Sequence, residues 1–370
     1  MSKQHFVFLD GLRGVAALSV AVLHAGEFFN ISTQYSHAYL AADFFFLLSG
    51  FVVAYAYDDR IGQHIGVNQY RIFLWKRFVR LYPMIFFGTL MGFGVSIIGS
   101  LQPTHHLNVI ATAALLPASL VLAPLGLLFS YDAFPLDNPM WSIFFELIAN
   151  AVYGAAPKTS FALNWALLAG AALALFAVSY VFGGLQRVGF HNFGSFAAGF
   201  VRVAYPFAAG VFIFRLGLHN RSRIPLILAE ILVCAALLAV LWMPLMADTW
   251  IYDGVVVVVI FPLLILSSIK VAVWAPAAGF WRFIGKLSYP FYIIHVPIIR
   301  IIHQINQHFL IFHIYNLTAA TVSILLSVII SYIVLKVYDE PTRLWLTSLK
   351  HERIGNALSE LGSAKAGVNQ

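Results

Sequence analysis

The chain has 370 residues, of which 61% are hydrophobic and 10% charged, with a mean hydropathy of +0.85. Soluble domains carry about one quarter charged residues, so a soluble globular fold is excluded. The net charge of +7 lies mainly in short loops between apolar stretches, where positive charge marks the cytoplasmic side, and does not imply a nucleic-acid partner.

Apolar windows fall at 11–30, 40–57, 81–100, 108–130, 139–156, 161–182, 199–217, 224–246, 254–270, 287–304 and 313–337. Runs of this length mean a polytopic membrane protein, and the bilayer forces each span to satisfy its own backbone as a helix. The alternation of an outer-membrane barrel is absent. The predicted class is therefore all-α, a polytopic transmembrane helical bundle. The segment Met1 to His5 is too short and too weakly charged for a transit peptide, and the first span reads as an uncleaved helix.

That first span opens Phe8-Leu9-Asp10-Gly11-Leu12-Arg13 and carries His24 eleven positions after Arg13. Eleven helical steps leave the two side chains about 20° apart in azimuth and about 16 Å apart along the axis. One then sits near the membrane surface and the other deep in the hydrocarbon. A buried titratable group in a span is costly and reads as a functional site, the bland alternative being a hydrogen bond to a neighbouring helix. His24 suits general-base work.

The second span begins Asp43-Phe44-Phe45-Phe46-Leu47-Leu48-Ser49-Gly50-Phe51. Asp43 either caps this helix or serves the site. Ser49 and Gly50 permit close helix packing. The loop 58–80 holds Arg60, Arg71, Lys76, Arg77 and Arg80, so it is expected in the cytoplasm. Arg77 and Arg80, three apart in Trp75-Lys76-Arg77-Phe78-Val79-Arg80-Leu81-Tyr82-Pro83, share a helix face. They either mark topology, bind lipid headgroups or grip a multiply phosphorylated ligand.

A second basic loop, at Arg215, Arg221 and Arg223, is also expected inside, yet five apolar windows lie between the two. An even number must cross. The window 108–130, broken by Pro117 and Pro124 and followed by Asp132 and Asp137, is expected to be re-entrant or to lie along the outer face. About ten crossings follow, with both termini cytoplasmic.

The fifth window opens Asn138-Pro139-Met140-Trp141-Ser142-Ile143-Phe144-Phe145-Glu146. Ser142 and Glu146 share a face, and Glu146, the one acid of that span, suggests a cavity near the outer side. Cys234 has no partner for an intramolecular disulfide and reads as packing. The tenth window, Gly285-Lys286-Leu287-Ser288-Tyr289-Pro290-Phe291-Tyr292-Ile293-Ile294-His295, places a second histidine within a span. His303 reads as interfacial. Past about 345 the chain turns polar, as expected of a short amphipathic surface helix and a disordered end.

These segments, in this order, resemble the acyltransferase 3 family, bacterial inner-membrane enzymes that O-acylate lipopolysaccharide, exopolysaccharides, Nod factors and macrolides. The matching pieces include the Leu-Asp-Gly-Leu-Arg-Gly start, the Arg13-to-His24 gap and the Phe-Phe-Phe-Leu-Leu-Ser-Gly-Phe span. The Arg-x-x-Arg-Leu-Tyr-Pro, Trp-Ser-x-x-x-Glu and Ser-Tyr-x-x-Tyr-x-x-His segments complete the set, over about residues 6 to 345. Glu340-Pro341 resembles the family's closing Glu-x-Pro element with one residue missing.

The resemblance implies a membrane-embedded acyltransferase 3 domain over 1–345 and a short polar cytoplasmic tail over 346–370. It implies an O-acyltransferase using acyl-CoA, acetyl-CoA above all, as donor substrate, with no tightly bound cofactor, no metal and no nucleic acid. The acceptor is expected to be a hydroxyl of an envelope glycan or exopolysaccharide, presented outside a bacterial inner membrane whose lipid is the remaining partner. His24, Arg13 and Glu146 are the expected catalytic residues. Arg77, Arg80, Tyr82, Asp10, Asp43, Trp141, Ser142 and His295 are the expected substrate-binding set. Some relatives carry a periplasmic hydrolase-like domain that this chain is too short to contain. The rival reading is a transporter or flippase of an anionic or glycan substrate, which the lack of inverted repeats disfavours. A purely structural subunit leaves the ionisable residues inside the spans unexplained.

Overall fold

A computed structural model describes residues 6–58, 66–100, 109–156, 158–218, 224–225, 227–309 and 316–349. The loop cations Arg60, Arg221 and Arg223 and the segment 350–370 lie outside the described residues.

Each predicted apolar window contains a helix among the described residues. They are α1 (Val7–Phe29), α2 (Ala41–Tyr57), α3 (Val67–Ser100), α4 (Val109–Leu120), α5 (Met140–Ala155) and α6 (Phe161–Phe182). Then come α7 (Phe193–Arg215), α8 (Ile227–Leu241), α9 (Thr249–Val255), α10 (Phe261–Ser268), α11 (Ala278–Phe309) and α12 (Asn316–Val334). A π turn at Val256–Ile260 joins α9 and α10 into one rod. Among the described residues, β structure is confined to a two-residue parallel pair and one isolated bridge.

The protein is thus an all-α, multi-pass membrane bundle. Seven helices are long and apolar enough to cross a bilayer by length and composition. The central helix α11 adds 32 residues, about 48 Å at 1.5 Å per residue. The helix α4 has 12 residues, about 18 Å, and carries Pro117. It falls well short of a hydrocarbon core of about 30 Å, and the chain behind it turns through a short 3-10 helix at Leu125–Phe129. The helices α5 and α8 are also short, at 16 and 15 residues. The last helix runs on from Asn316 to Leu349 without a break at 345, through a π turn at Leu335–Asp339. Residues 346–349 continue the final helix.

Two close helix pairs set the frame. Helix α1 lies along α11, where a side chain on Gly14 would meet the Ile284 carbonyl and one on Gly285 would meet Asp10. Helix α2 lies along α7, where Gly50 faces the Phe207 carbonyl and Gly210 faces the Leu47 carbonyl. Gly50 thus does the close packing expected of it. Phe44, Phe46, Phe51, Phe145 and Phe261 fill the interior. By contrast α6 buries only Leu175 and Ser179 and faces lipid.

Candidate active site

Arg13 and His24 stand on one face of α1 and line different cavities. The rise of α1 separates them by about 16 Å, so the cavities lie toward opposite ends of the bundle. The one at Arg13 is the basic end.

At the basic end Arg13 is held from two sides. Its Nε donates to Ser288 Oγ at 2.7 Å and its Nη2 to the Gly285 carbonyl at 2.9 Å, while Nη1 lies 3.5 Å from Asp10 Oδ1. Glu146 belongs here too. Arg77 Nη2 donates to Glu146 Oε1 at 2.9 Å and Ser49 Oγ donates to the same oxygen at 2.7 Å. The expectation that Glu146 marks the outer cavity is corrected: as the seventh residue of α5 it points at α3 and meets the arginine there. Arg77 is 4% exposed, a buried cation neutralised by Glu146.

Arg80 is different. It lines both this cavity and the wider mouth next to it, and has no ion-pair or hydrogen-bond partner among the described residues. The mouth, about 680 Å³, gathers Arg13, Arg80, Arg282, Lys286 and Arg343 against Asp10 and Glu340. The sequence analysis assigned none of Arg282, Lys286 and Arg343 to the site. Arg343 is bonded to Asp339, and Glu340 to Lys336, one helical turn away in each case.

Tyr82 is not part of either cavity lining. Two positions from Arg80 is about 200° around a helix, and the ring stacks on Phe78 at 4.4 Å instead. It is corrected from a substrate contact to an aromatic on the flank of α3.

At the other end His24 is not deep in hydrocarbon. It lies in the last turns of α1, five residues before Phe29, with 22% of its side chain exposed to a cavity of about 1030 Å³. The helix begins at Val7, earlier than the predicted start, which moves His24 toward the far end. Its Nδ1 lies 2.7 Å from Glu27 Oε2. A carboxylate only accepts, so Nδ1 carries a proton, and in the neutral imidazole the lone pair is on Nε2. Glu27, three residues on and so on the same face, was missed. The signal was present in the spacing of an acid after a histidine at a helix end.

The His24 ring stacks on His295 at 5.4 Å and 26°. His295 donates from Nδ1 to the Tyr292 carbonyl at 2.7 Å, and its Nε2 has no partner among the described residues. His295 is wholly buried and backs the His24 ring without lining the cavity, which corrects its expected substrate contact. Trp141 and Phe190 supply flat apolar faces 5.5 Å apart. Asp132 and His191, 3.2 Å apart, and Arg187 complete the rim. Burial raises the Asp132 carboxyl above its ordinary range, against the pull of His191 and Arg187.

Asp43 reaches neither cavity, which corrects its expected substrate role. It is wholly buried and takes two hydrogen bonds from Arg202, at 2.9 and 2.6 Å. Arg202 in turn donates to the Leu185 and Val188 carbonyls, each at 2.7 Å, and its guanidinium sits 4.9 Å from the Trp141 ring. The pair therefore fixes the loop after α6 that carries Arg187, Phe190 and His191. Arg202, hidden in an apolar span, was missed.

Ser142 and Tyr292 stand between the cavities. Ser142 Oγ donates to the Pro139 carbonyl at 3.0 Å and lies 2.8 Å from Tyr292 Oη. A serine has one proton to give, so the tyrosine donates to the serine.

Comparison with known proteins gives the family of the chain. The family model described as "Acyltransferase domain", acyltransferase family 3, matches residues 6–336. The chain is similar to "Protein 2 in picA locus" of Rhizobium radiobacter, 37% identical over 162 residues, which cover 40% of this chain and 81% of that protein. No solved structure matches.

Proposed function

The chain belongs to the acyltransferase 3 family, enzymes that transfer acyl groups other than amino-acyl groups, and we propose that it moves an acyl group from acyl-CoA to a glycan hydroxyl. The observation that carries this reading is the pair of cavities on one helix, one lined by cations and the other by an oriented imidazole.

The donor enters at the basic end. CoA carries several phosphate charges, and Arg80, Arg282 and Lys286 answer them with forks and a point charge. Arg77 acts from behind, holding Glu146 and α2 in place. The acceptor enters at the His24 end. Trp141 and Phe190 offer faces for a sugar ring, while Glu27 and Asp132 offer acceptors for its hydroxyls.

His24 Nε2 then takes the proton of the acceptor hydroxyl. The oxygen attacks the thioester carbonyl and forms the new C–O bond. The tetrahedral intermediate collapses with loss of the C–S bond. The leaving CoA sulfur recovers its proton from the imidazolium. Glu27 holds the tautomer and steadies the transient cation, as a carboxylate does behind any histidine base. Acetyl is the group in this reading, since the region between the cavities is closely filled. The alternative, an acyl-imidazole on His24, predicts a labelled enzyme when donor is supplied alone.

Basic residues favour the cytoplasm, so the basic end faces it, with both termini there, in a bacterial inner membrane. Periplasmic reporter signals after Ser36 and after Asp137, and a cytoplasmic signal after Arg221, are expected; a cytoplasmic signal after Asp137 overturns this orientation. The reaction itself is tested by mass spectrometry of envelope glycans from cells with and without the protein. An added acyl mass that depends on the protein and on His24 supports the reading. Identical glycans in both strains, together with no CoA release by the purified protein, overturn it.

A further inference from the structure

We propose that the trough between α5, α6 and α7 binds one anionic phospholipid, with an acyl chain along α7 and the phosphate at Arg215 and Lys158. The trough is separate from both cavities of the acyl-transfer reading and does not depend on that reading.

The trough exists because α6 is seated along only part of its length. Its two buried residues, Leu175 and Ser179, lie in its second half. Its first half buries none, and a side chain added at Gly170 would meet nothing within 4 Å. The gap left against α5 and α7 is a cavity of about 380 Å³. Residue size shapes its floor. Phe200, Ala204, Ala208 and Val211 recur at helical spacing and share one face of α7. The two alanines are exposed, so the middle of that face is a hollow. Across it, the Phe161 and Trp165 rings of α6 lie 5.7 and 4.7 Å from the Phe212 ring.

The dimensions fit a lipid. The α7 lining runs from Phe200 to Arg215, about 22 Å of helix. One bilayer leaflet, with its headgroup layer, is about 20 to 22 Å thick. Polarity is confined to one end, where Tyr153, Thr159, Asn164 and Arg215 line the cavity, and the rest of the lining is apolar.

That end is charged for an anion. Asp58 Oδ1 accepts from Arg215 Nη2 at 3.0 Å and from Tyr153 Oη at 2.9 Å, and Asp58 Oδ2 lies 3.3 Å from Lys158 Nζ. Two cations share one carboxylate, which leaves a positive charge in excess. Arg215 Nη1 has no hydrogen-bond partner among the described residues. The adjoining connectors add Arg60, Arg221 and Arg223 against Asp59 in sequence. Basic pockets between helices at the cytoplasmic side are where anionic headgroups settle. A free phosphate matches the charge and leaves the trough empty. A zwitterionic lipid fills the trough but brings its own cation to the charged end. An anionic phospholipid satisfies both and gives the first half of α6 a packing partner.

The test uses the full chain, delipidated in detergent and titrated with dioleoyl phosphatidylglycerol or dioleoyl phosphatidylcholine. Native mass spectrometry reads binding, and the thermal midpoint reads stabilisation. The wild type is expected to bind one phosphatidylglycerol at least about fivefold more tightly than phosphatidylcholine, the worth of one basic contact, and to melt higher with it bound. Glycerol 3-phosphate alone should give no shift. The double variant Ala204→Phe, Ala208→Phe fills the hollow and leaves every charge in place, and it should lose both the tight lipid and its shift. Ala208→Leu should weaken binding by less and serves if the double variant fails to fold. Lys158→Gln should bring the two lipids closer to equal affinity. Arg80→Ala, at the basic mouth, should leave the lipid bound. Equal affinity of the wild type for the two lipids, or a full shift with glycerol 3-phosphate alone, overturns the proposal. So does phosphatidylglycerol binding that survives both trough variants, or that is lost in Arg80→Ala, since the lipid then sits at the mouth.

Discussion

The two ends of the bundle handle charge in opposite ways. At the basic end the mouth holds more cations than acids, and Arg80 has no partner among the described residues. At the His24 end the imidazole is paired with Glu27, Asp132 with His191, and Asp43 with Arg202 behind the wall. Excess positive charge suits the capture of a polyanion, whose own charge completes the balance. Paired groups suit chemistry, because each proton position is fixed before the substrate arrives. In the proposed reading, capture and chemistry sit about 16 Å apart on a single helix, with different electrostatics at each.

Removing the imidazole breaks the contrast most severely. His24→Ala is expected to lower acyl transfer by about two to four decades with normal membrane insertion, measured by CoA release against a glycan acceptor. His24→Gln should fail as well, since an amide cannot take the proton. Wild-type turnover in either variant would remove His24 from the mechanism.

Next in size is the buried pair. Asp43→Ala leaves the Arg202 guanidinium uncompensated in a site with no exposure, at a cost of about 3 to 5 kcal/mol. The expected result is a lower thermal midpoint in detergent and loss of the ordered loop that carries Arg187. Because Asp43 lines neither cavity, the residual folded protein should keep its affinity for acyl-CoA. A loss of donor affinity with unchanged stability would return Asp43 to the substrate-binding set.

A smaller effect is expected one turn from the base. Glu27→Gln replaces a charge-assisted hydrogen bond with a neutral one and should cost about one to two decades in kcat, with KM for the donor unchanged. A merely structural glutamate would change stability and leave kcat alone.

The mildest variants separate the two arginines of α3. Arg80→Ala is expected to raise KM for acyl-CoA about fivefold to thirtyfold, the loss of one charged contact, without changing the melting temperature. Arg77→Ala should instead lower stability, since it strands Glu146 in a largely buried site. If the effects are reversed, so that Arg77 governs donor affinity and Arg80 stability, the division between a free and a paired cation is wrong.

The sequence carried much of this architecture because the bilayer makes helices obligatory and leaves their cores apolar. Each of the eleven apolar windows contains a helix among the described residues, and the window with Pro117 and Pro124 holds α4, which ends at Leu120 between the two prolines. Arg13 and His24 were legible because both sit on one helix, where spacing fixes geometry. What was not legible depends on contacts between distant helices. Asp43 and Arg202 are 159 positions apart, and nothing local says that they meet. Glu146 was assigned to the wrong end because its depth depends on where α5 begins. Arg282, Lys286 and Arg343 share a mouth with Arg80 only because α1, α3, α11 and the end of α12 converge there.

The contact of Tyr292 with Ser142 between the two cavities has an electrical meaning. Any membrane that holds a potential drives ions through continuous water, with about 2.3 kcal/mol for each charge falling through 100 mV. An enzyme reaching substrates from both faces needs a deep opening on each, and two such openings joined would short-circuit the membrane. The hydrogen bond between Tyr292 and Ser142 closes the gap where the wells nearly meet. An enzyme of the proposed kind would then work on both sides while remaining an insulator.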